Sequence, residues 1–241
     1  MTVRVGIVVF PGTNCEQDVA WAIEHLGGSG ELLWHAARDL RDVDAVVVPG
    51  GFAHGDYLRT GAIARFSPVM DSVADFAAAG GPVVGICNGF QVLCEAGLLP
   101  GALQKNAGLK FLCRTVECRV DSTRSVLTAG ATPGEILYLP INHFEGNYVC
   151  DDETLRQLRA DERIVLRYVS NPNGSVDDIA GISNDAGNVV GLMPHPERAS
   201  ERVLGSEDGA VLLRALVDGA SGREPARAGA EGDRSPVSRS A

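Results

Sequence analysis

The chain has 241 residues and a formal net charge of −10, and 45% of its residues are hydrophobic. The length allows one large α/β domain or two small ones, and the negative charge, which no basic run offsets, disfavours nucleic acid as a partner. Without a membrane-spanning run, a signal-peptide pattern or a paired C-x-x-C metal motif among the six cysteines, the sequence predicts a cytoplasmic protein with no metal site.

Continuous apolar runs at residues 3–9, 45–48 and 83–86 predict buried strands. Such runs are typical of a parallel sheet whose two faces are covered by helices. Apolar spacing predicts helices over residues 14–26, 62–79, 89–96 and 207–217, and Pro68 predicts that the second helix kinks or restarts near Ser67. The strand-rich segment 111–141 predicts a smaller antiparallel part. The predicted fold class is therefore α/β, with a mostly parallel central sheet.

A cysteine lies where the strand at residues 83–86 meets the next predicted helix. Gly85 and Gly89 flank Cys87 at a distance of two residues, the spacing of a nucleophile elbow, in which a strained turn presents the reacting side chain. The helix dipole favours a thiolate at this position, and the backbone N–H of Asn88 is placed to form part of an oxyanion hole. The pattern favours covalent catalysis over the alternative of a buried, inert cysteine.

His195 has the sequence context of a catalytic base. It follows an apolar strand, lies between Pro194 and Pro196, which restrict the backbone, and precedes Glu197 by two residues. A carboxylate at that separation can orient an imidazole, although His-Pro-Glu alone also fits a rigid surface turn. Together with the elbow cysteine, the sequence predicts a catalytic triad of Cys87, His195 and Glu197.

Other polar positions carry weaker signals. Gly50 and Gly51 follow the strand at residues 45–48, and because glycine lets backbone N–H groups face a ligand, the Gly51 amide is the second predicted oxyanion donor. Pro-Gly-Gly alone is a common turn, and its place before the elbow strand gives it more weight. His25 and His35 are predicted to be structural or solvent-facing, structural roles are predicted for Cys15 and Cys94, and no catalytic role is expected for His54.

Three segments resemble the class I (triad) glutamine amidotransferase domain: residues 49–51, residues 85–91 and residues 195–197. Residues 10–18, 55–65 and 140–148 are similar, more narrowly, to the family of glutaminase subunits of phosphoribosylformylglycinamidine synthase. The resemblance extends from about Val3 to about Asp218. It therefore implies an amidotransferase domain over residues 1–221, followed by residues 222–241, whose Gly, Ala, Pro, Ser and charged composition predicts a disordered tail.

The resemblance implies a reaction and a set of partners. Cys87 would attack the side-chain amide of glutamine, with Gly50, Gly51 and Gln91 binding the substrate. The ammonia would pass to a large synthase subunit, which a small third subunit bridges to the glutaminase and which converts formylglycinamide ribonucleotide to formylglycinamidine ribonucleotide. The resemblance implies that ATP and magnesium are used by that synthase subunit. This chain has no G-x-x-x-x-G-K-[ST] run and is expected to hold no cofactor.

The chain departs from the family pattern at four positions near the predicted site. Ala53 and His54 stand where the family has Ser-Tyr, and Phe144 and Asn147 replace Gly and Arg. These departures leave the triad intact but would alter the shape of the pocket or the docking contacts. Two alternatives remain open at this point: a free-standing cysteine hydrolase that uses the same triad, and a non-catalytic binding or chaperone-like protein of the same fold.

Overall fold

The computed structural model describes residues 2–222 of the chain. The predicted tail at residues 222–241 lies outside the described residues except for Gly222, so the division into a domain and a tail stays a prediction. Among the described residues, no helix has both the length and the apolar character needed to cross a membrane.

Eleven strands and five α-helices form the regular structure of the described residues. The strands are β1 (Arg4–Val9), β2 (Ser29–Trp34), β3 (Ala45–Val48), β4 (Val83–Ile86), β5 (Ala102–Gln104), β6 (Leu112–Val120), β7 (Ile136–His143), β8 (Asn147–Val149), β9 (Ile164–Tyr168), β10 (Ile179–Ser183) and β11 (Val189–Leu192). The helices are α1 (Glu16–His25), α2 (Pro68–Ala78), α3 (Asn88–Glu95), α4 (Asp152–Ala160) and α5 (Asp208–Ala220). Short 3-10 helices occupy Ala53–Asp56, Ala64–Phe66, Val176–Asp178, Pro196–Ala199 and Arg202–Leu204.

Nine strands form one mixed sheet in the order β2-β1-β3-β4-β11-β10-β9-β6-β7. The first five strands pair in parallel, and the pairings from β11 to β7 are antiparallel. Every residue of β3, β4 and β11 is buried. Because successive side chains of a strand point to opposite faces, both faces of the parallel half are covered. The predicted α/β fold with a parallel central sheet is confirmed.

The strand-rich segment at residues 111–141 forms the predicted antiparallel part. β6 and β7 pair from Leu112 opposite His143 to Arg119 opposite Ile136. This hairpin continues the central sheet, because β6 also pairs with β9. β7 is the edge strand, which is the place where a strand tolerates a proline such as Pro140. A separate antiparallel pair, β5 with β8, was not predicted.

The helix predicted over residues 62–79 is interrupted before Pro68, as the sequence indicated. Ala64–Phe66 forms a 3-10 turn, Ser67 is extended with φ −66° and ψ 138°, and α2 begins at Pro68. Proline suits the first position of a helix, since the N–H that it lacks would have no partner there.

The carboxyl ends of β1, β3, β4 and β11 meet at one edge of the parallel half of the sheet. The loops that leave this edge carry Cys15, Gly51, Cys87 and His195. Ligands of open α/β sheets bind at this edge, and all four residues line one cavity there.

Candidate active site

The turn between β4 and α3 has the strained backbone of a nucleophile elbow. Cys87 has φ 51° and ψ −106°, a conformation that residues other than glycine rarely adopt. A Cβ atom on Gly85 would lie 2.7 Å from the backbone of Gly89, and one on Gly89 would lie 1.8 Å from the carbonyl oxygen of Val48. The two glycines therefore let α3 pack directly on β4 and β3 and hold Cys87 at the edge of the sheet.

Replacing Gly89 with alanine is expected to lower the free energy of unfolding by about 3 kcal/mol or more, because the new methyl group would displace α3 from the backbone of β3. Urea denaturation of the purified chain measures this change. Gly219→Ala is the matched control: Gly219 lies in α5, a Cβ there would meet no atom within 4 Å, and the change should cost nothing. Equal stability of the two variants would contradict the close approach of α3 to β3.

His195 and Glu197 form a buried pair at the carboxyl end of β11. The backbone N–H of His195 donates to the carbonyl of Pro140 at 2.8 Å, and a 3-10 turn, Pro196–Ala199, brings Glu197 back toward the ring. His195 Nδ1 lies 2.6 Å from Glu197 Oε1, and both side chains are at most 2% exposed. Glu197 thus fixes the orientation of the ring and leaves Nε2 without a hydrogen-bond partner among the described residues.

The environment of His195 favours its protonated form. Burial lowers the pKa of His195, but the opposing interactions with Glu197, Cys87 and Cys15 together are stronger, and the net pKa lies well above its usual value. The Cys87 thiol is directed at the carbonyl of Asn142, with 3.8 Å between Sγ and O, and the predicted catalytic triad of Cys87, His195 and Glu197 stays a prediction.

The two predicted oxyanion donors belong to different segments: Gly51 follows β3, and Asn88 is the first residue of α3. Gly51 has φ 146° and approaches the backbone of Asn14 so closely that a Cβ would lie 2.6 Å from its nitrogen. The Asn88 side chain joins the glycine loop to α3, because its Oδ1 accepts the backbone N–H of Ala53 at 2.9 Å. The amide that follows Cys87 and the glycine turn are thereby held in a fixed relation.

Gln91 and Gly50, both predicted to bind substrate, occupy different positions. Gln91 lines the cavity, but its side chain already accepts from Asn88 Nδ2 at 2.9 Å and donates to the carbonyl of Glu145. Gly50 lies against the ring of His195, where a Cβ would come within 2.8 Å of Cε1. The absence of a side chain at Gly50 therefore leaves room for the ring of His195. Direct contact of Gly50 and Gln91 with the substrate stays a prediction.

A cavity of about 410 Å³ opens over Cys87. This volume lies in the range of small-molecule sites. Its walls include Asp56, Glu145, His143 and Arg198 besides the predicted site residues. Burial raises the pKa of Asp56, and the nearby Glu145 carboxylate acts in the same direction. One wall of the cavity is thus acidic, and the wall beside His195 carries a guanidinium group.

Cys15 lies in the cavity, although the sequence favoured a purely structural role. It is 3% exposed, and its Sγ accepts a hydrogen bond from Arg198 Nη2 at 3.2 Å, while Arg198 Nε donates to Asp18 at 3.1 Å. The position of Cys15 after β1, a neighbour of β3 in the sheet, was the available signal. Cys15, His195 and Glu197 bring potential metal ligands within 4.8 Å of one another, but the histidine Nδ1 and a glutamate oxygen are engaged with each other.

The other histidines lie apart from the triad or on its margin. His25 is exposed in the last turn of α1, as expected. His35 and His54 belong to an aromatic cluster with Phe10 and Trp34, and His54 Nε2 lies 3.3 Å from Ser67 Oγ. His143 alone among them lines the cavity.

Comparisons with known proteins agree with this geometry. Residues 2–208 match the family described as the CobB/CobQ-like glutamine amidotransferase domain. The chain is 57% identical over 217 residues to the phosphoribosylformylglycinamidine synthase subunit PurQ of Rubrobacter xylanophilus. This match covers 90% of this chain and 99% of that protein. The protein of the same name from Koribacter versatilis is 53% identical over 224 residues, 89% of this chain and 97% of that one. A chain in the structure of PurLQS from Thermotoga maritima matches with a TM-score of 0.84 and 41% identity, covering 90% of this chain and 99% of that chain.

Proposed function

The chain belongs to the family of CobB/CobQ-like glutamine amidotransferase domains, and from this premise we propose that it is the glutaminase subunit of phosphoribosylformylglycinamidine synthase. Relatives that carry this name cover about nine tenths of the chain. The observation that supports the activity most directly is the placement of Cys87 at a strained elbow, facing the same cavity as the buried His195–Glu197 pair.

The proposed reaction starts with the proton of Cys87 already on Nε2 of His195, because the buried Glu197 favours the protonated ring, so the nucleophile is the Cys87 thiolate. The thiolate attacks the amide carbon of glutamine, an S–C bond forms, and the carbonyl oxygen becomes an oxyanion that the amides of Gly51 and Asn88 stabilise. His195 then gives its proton to the departing nitrogen, the C–N bond breaks, and ammonia leaves a glutamyl thioester. Water, deprotonated by His195, hydrolyses the thioester to glutamate, and the sulfur leaves as the thiolate beside the protonated ring.

The partners are inferred from the same relatives. PurLQS, the complex that contains the structurally similar chain, joins that chain to further subunits. We propose that this chain likewise delivers ammonia to a large synthase subunit with a small bridging subunit, and that ATP and magnesium are used by the synthase subunit rather than here. The described cysteines are all free thiols, which suits a reducing compartment, and we propose the cytoplasm.

Glutamate release from glutamine tests the proposal. We expect the chain to hydrolyse glutamine when it is assembled with the synthase and bridging subunits, and the complex to form formylglycinamidine ribonucleotide with glutamine as the nitrogen donor. A correctly folded chain that releases no glutamate either alone or in the complex would refute the amidotransferase function. Rapid turnover of peptides or other amides by the chain alone would favour the free-standing hydrolase instead.

A further inference from the structure

His143 has no part in the proposed reaction, yet it lies beside the reacting groups. It is the last residue of β7, is 3% exposed and lines the cavity over Cys87. The carbonyl toward which the Cys87 thiol points belongs to the preceding residue, Asn142. Gly146 leaves room for the ring, because a Cβ there would lie 2.2 Å from His143 Cε1.

The hydrogen bonds of Asn106 determine which nitrogen of His143 carries the proton. Asn106 Nδ2 donates to the carbonyl oxygens of Lys110 at 2.9 Å and of His143 at 3.0 Å, which fixes the orientation of the amide. Asn106 Oδ1 therefore faces His143 Nδ1 at 3.1 Å and also accepts the backbone N–H of Gly146 at 3.1 Å. Since a carbonyl oxygen can only accept, Nδ1 must be the protonated nitrogen.

The other ring nitrogen is then a bare acceptor. His143 Nε2 is buried and has no hydrogen-bond partner among the described residues. Burial, reinforced by the nearby His195, lowers the pKa of His143 to about 4, so the ring is neutral at physiological pH. A buried acceptor left without a donor costs about 1–3 kcal/mol, and such groups are rare in proteins unless a ligand or a water completes them.

We propose that His143 Nε2 accepts an N–H of the substrate carboxamide and holds the departing nitrogen until ammonia leaves the site. The proposal rests on the proposed glutaminase function. A carboxamide has two N–H groups, of which the catalytic groups engage neither before His195 protonates the nitrogen. An acceptor at His143 would orient this nitrogen toward His195 and keep its leaving position constant.

The neutral state of His143 also determines the state of the ammonia after the C–N bond breaks. Nε2 of the neutral ring carries no proton that it could give to the leaving nitrogen, so ammonia held there stays uncharged and nucleophilic. His143 is accordingly not a second general acid, and His195 remains the proton donor of the mechanism. The site would accept carboxamides and discriminate against substrates whose leaving atom carries no hydrogen.

Two substitutions separate the acceptor from the hydrogen bond to Asn106. In His143→Asn the side-chain NH2 can still donate to Asn106 Oδ1, but no atom replaces Nε2. In His143→Gln the side-chain oxygen reaches the position of Nε2. Both variants are assembled with the synthase and bridging subunits and assayed with L-glutamine and with L-glutamic acid γ-methyl ester, whose leaving oxygen carries no hydrogen.

The measured quantity is the ratio of kcat/KM for the amide to kcat/KM for the ester. This ratio reports the steps up to release of the first product, and the fraction of folded enzyme cancels from it. For His143→Asn we expect a ratio about 10- to 100-fold below that of the wild type, as loss of a buried hydrogen bond predicts. For His143→Gln the ratio should stay within about threefold of the wild type, in keeping with a retained acceptor.

An unchanged ratio in His143→Asn would overturn the proposal, because Nε2 would then not bind the substrate nitrogen. An equal fall of the ratio in both variants would also overturn it, because the ring of His143 would then have a purely structural role. These outcomes differ from failure of the proposed function itself. In that case the wild-type complex would not release glutamate from L-glutamine at all.

Discussion

Replacement of Cys87 by alanine will lower glutamine-dependent synthesis by the complex by about 10⁴-fold or more, the scale observed when a covalent nucleophile is removed. The methyl group cannot form the thioester, and the remaining oxyanion donors cannot supply a nucleophile. Synthesis from added ammonia should continue at the wild-type rate, since the synthase reaction then no longer needs this cavity. The measurement is formation of formylglycinamidine ribonucleotide with glutamine or an ammonium salt as the nitrogen source.

Cys94→Ala is the matched control on the same helix. Cys94 lies in α3 with its thiol directed at the carbonyl of Pro100, 3.7 Å from Sγ to O, and burial raises its pKa so that the thiol stays protonated. We expect full glutamine-dependent activity from this variant. Loss of both the glutamine-dependent and the ammonia-dependent reaction in Cys87→Ala would instead indicate a structural role for Cys87 in the complex.

The elbow at Cys87 and the His195–Glu197 pair could be predicted because their signals are local. Gly85 and Gly89 must lack side chains for α3 to reach the sheet, and Glu197 must follow His195 at short range to pair with its Nδ1. Each requirement leaves a pattern within a few residues. The parallel strands were equally visible, since burial on both faces requires a continuous apolar run.

The rest of the site depends on contacts between distant segments, which leave no such pattern. Arg198 meets Cys15 across 183 positions of sequence, and His143 is oriented by Asn106, 37 positions earlier. Nothing in either neighbourhood indicates the other. The strands of the small sheet, β5 and β8, are three residues long, too short to show a period.

Helix α4 was missed for another reason. It buries only Leu158 completely, so it lacks the broad apolar face by which helices are recognised. Its start did carry a signal, because Asp151 accepts the backbone N–H of Thr154 at 2.7 Å, and acidic residues occupy the first turn. The capping pattern rather than the hydrophobic period identifies such a helix.

Replacement of Glu197 by glutamine is expected to lower kcat for glutamine hydrolysis by about 10³- to 10⁴-fold, the effect of removing the orienting carboxylate from a comparable triad. The variant keeps the size of the side chain but removes the negative charge that raises the pKa of His195 against the lowering effect of burial. The pKa of His195 must then fall. Because the departing nitrogen needs a protonated His195, activity is lost as pH rises through that pKa, and in Glu197→Gln the loss should begin at lower pH than in the wild type.

The pH dependence of kcat for the assembled complex measures both effects at once. Glu153→Gln serves as the control, since Glu153 forms an exposed pair with Arg156 and should leave rate and profile unchanged. If kcat falls but the loss of activity at high pH (the alkaline limb of the profile) begins at the same pH as in the wild type, Glu197 orients the ring without raising the pKa of His195. A limb that moves to higher pH would contradict the assignment, because a buried imidazole deprived of its carboxylate can only become a weaker base.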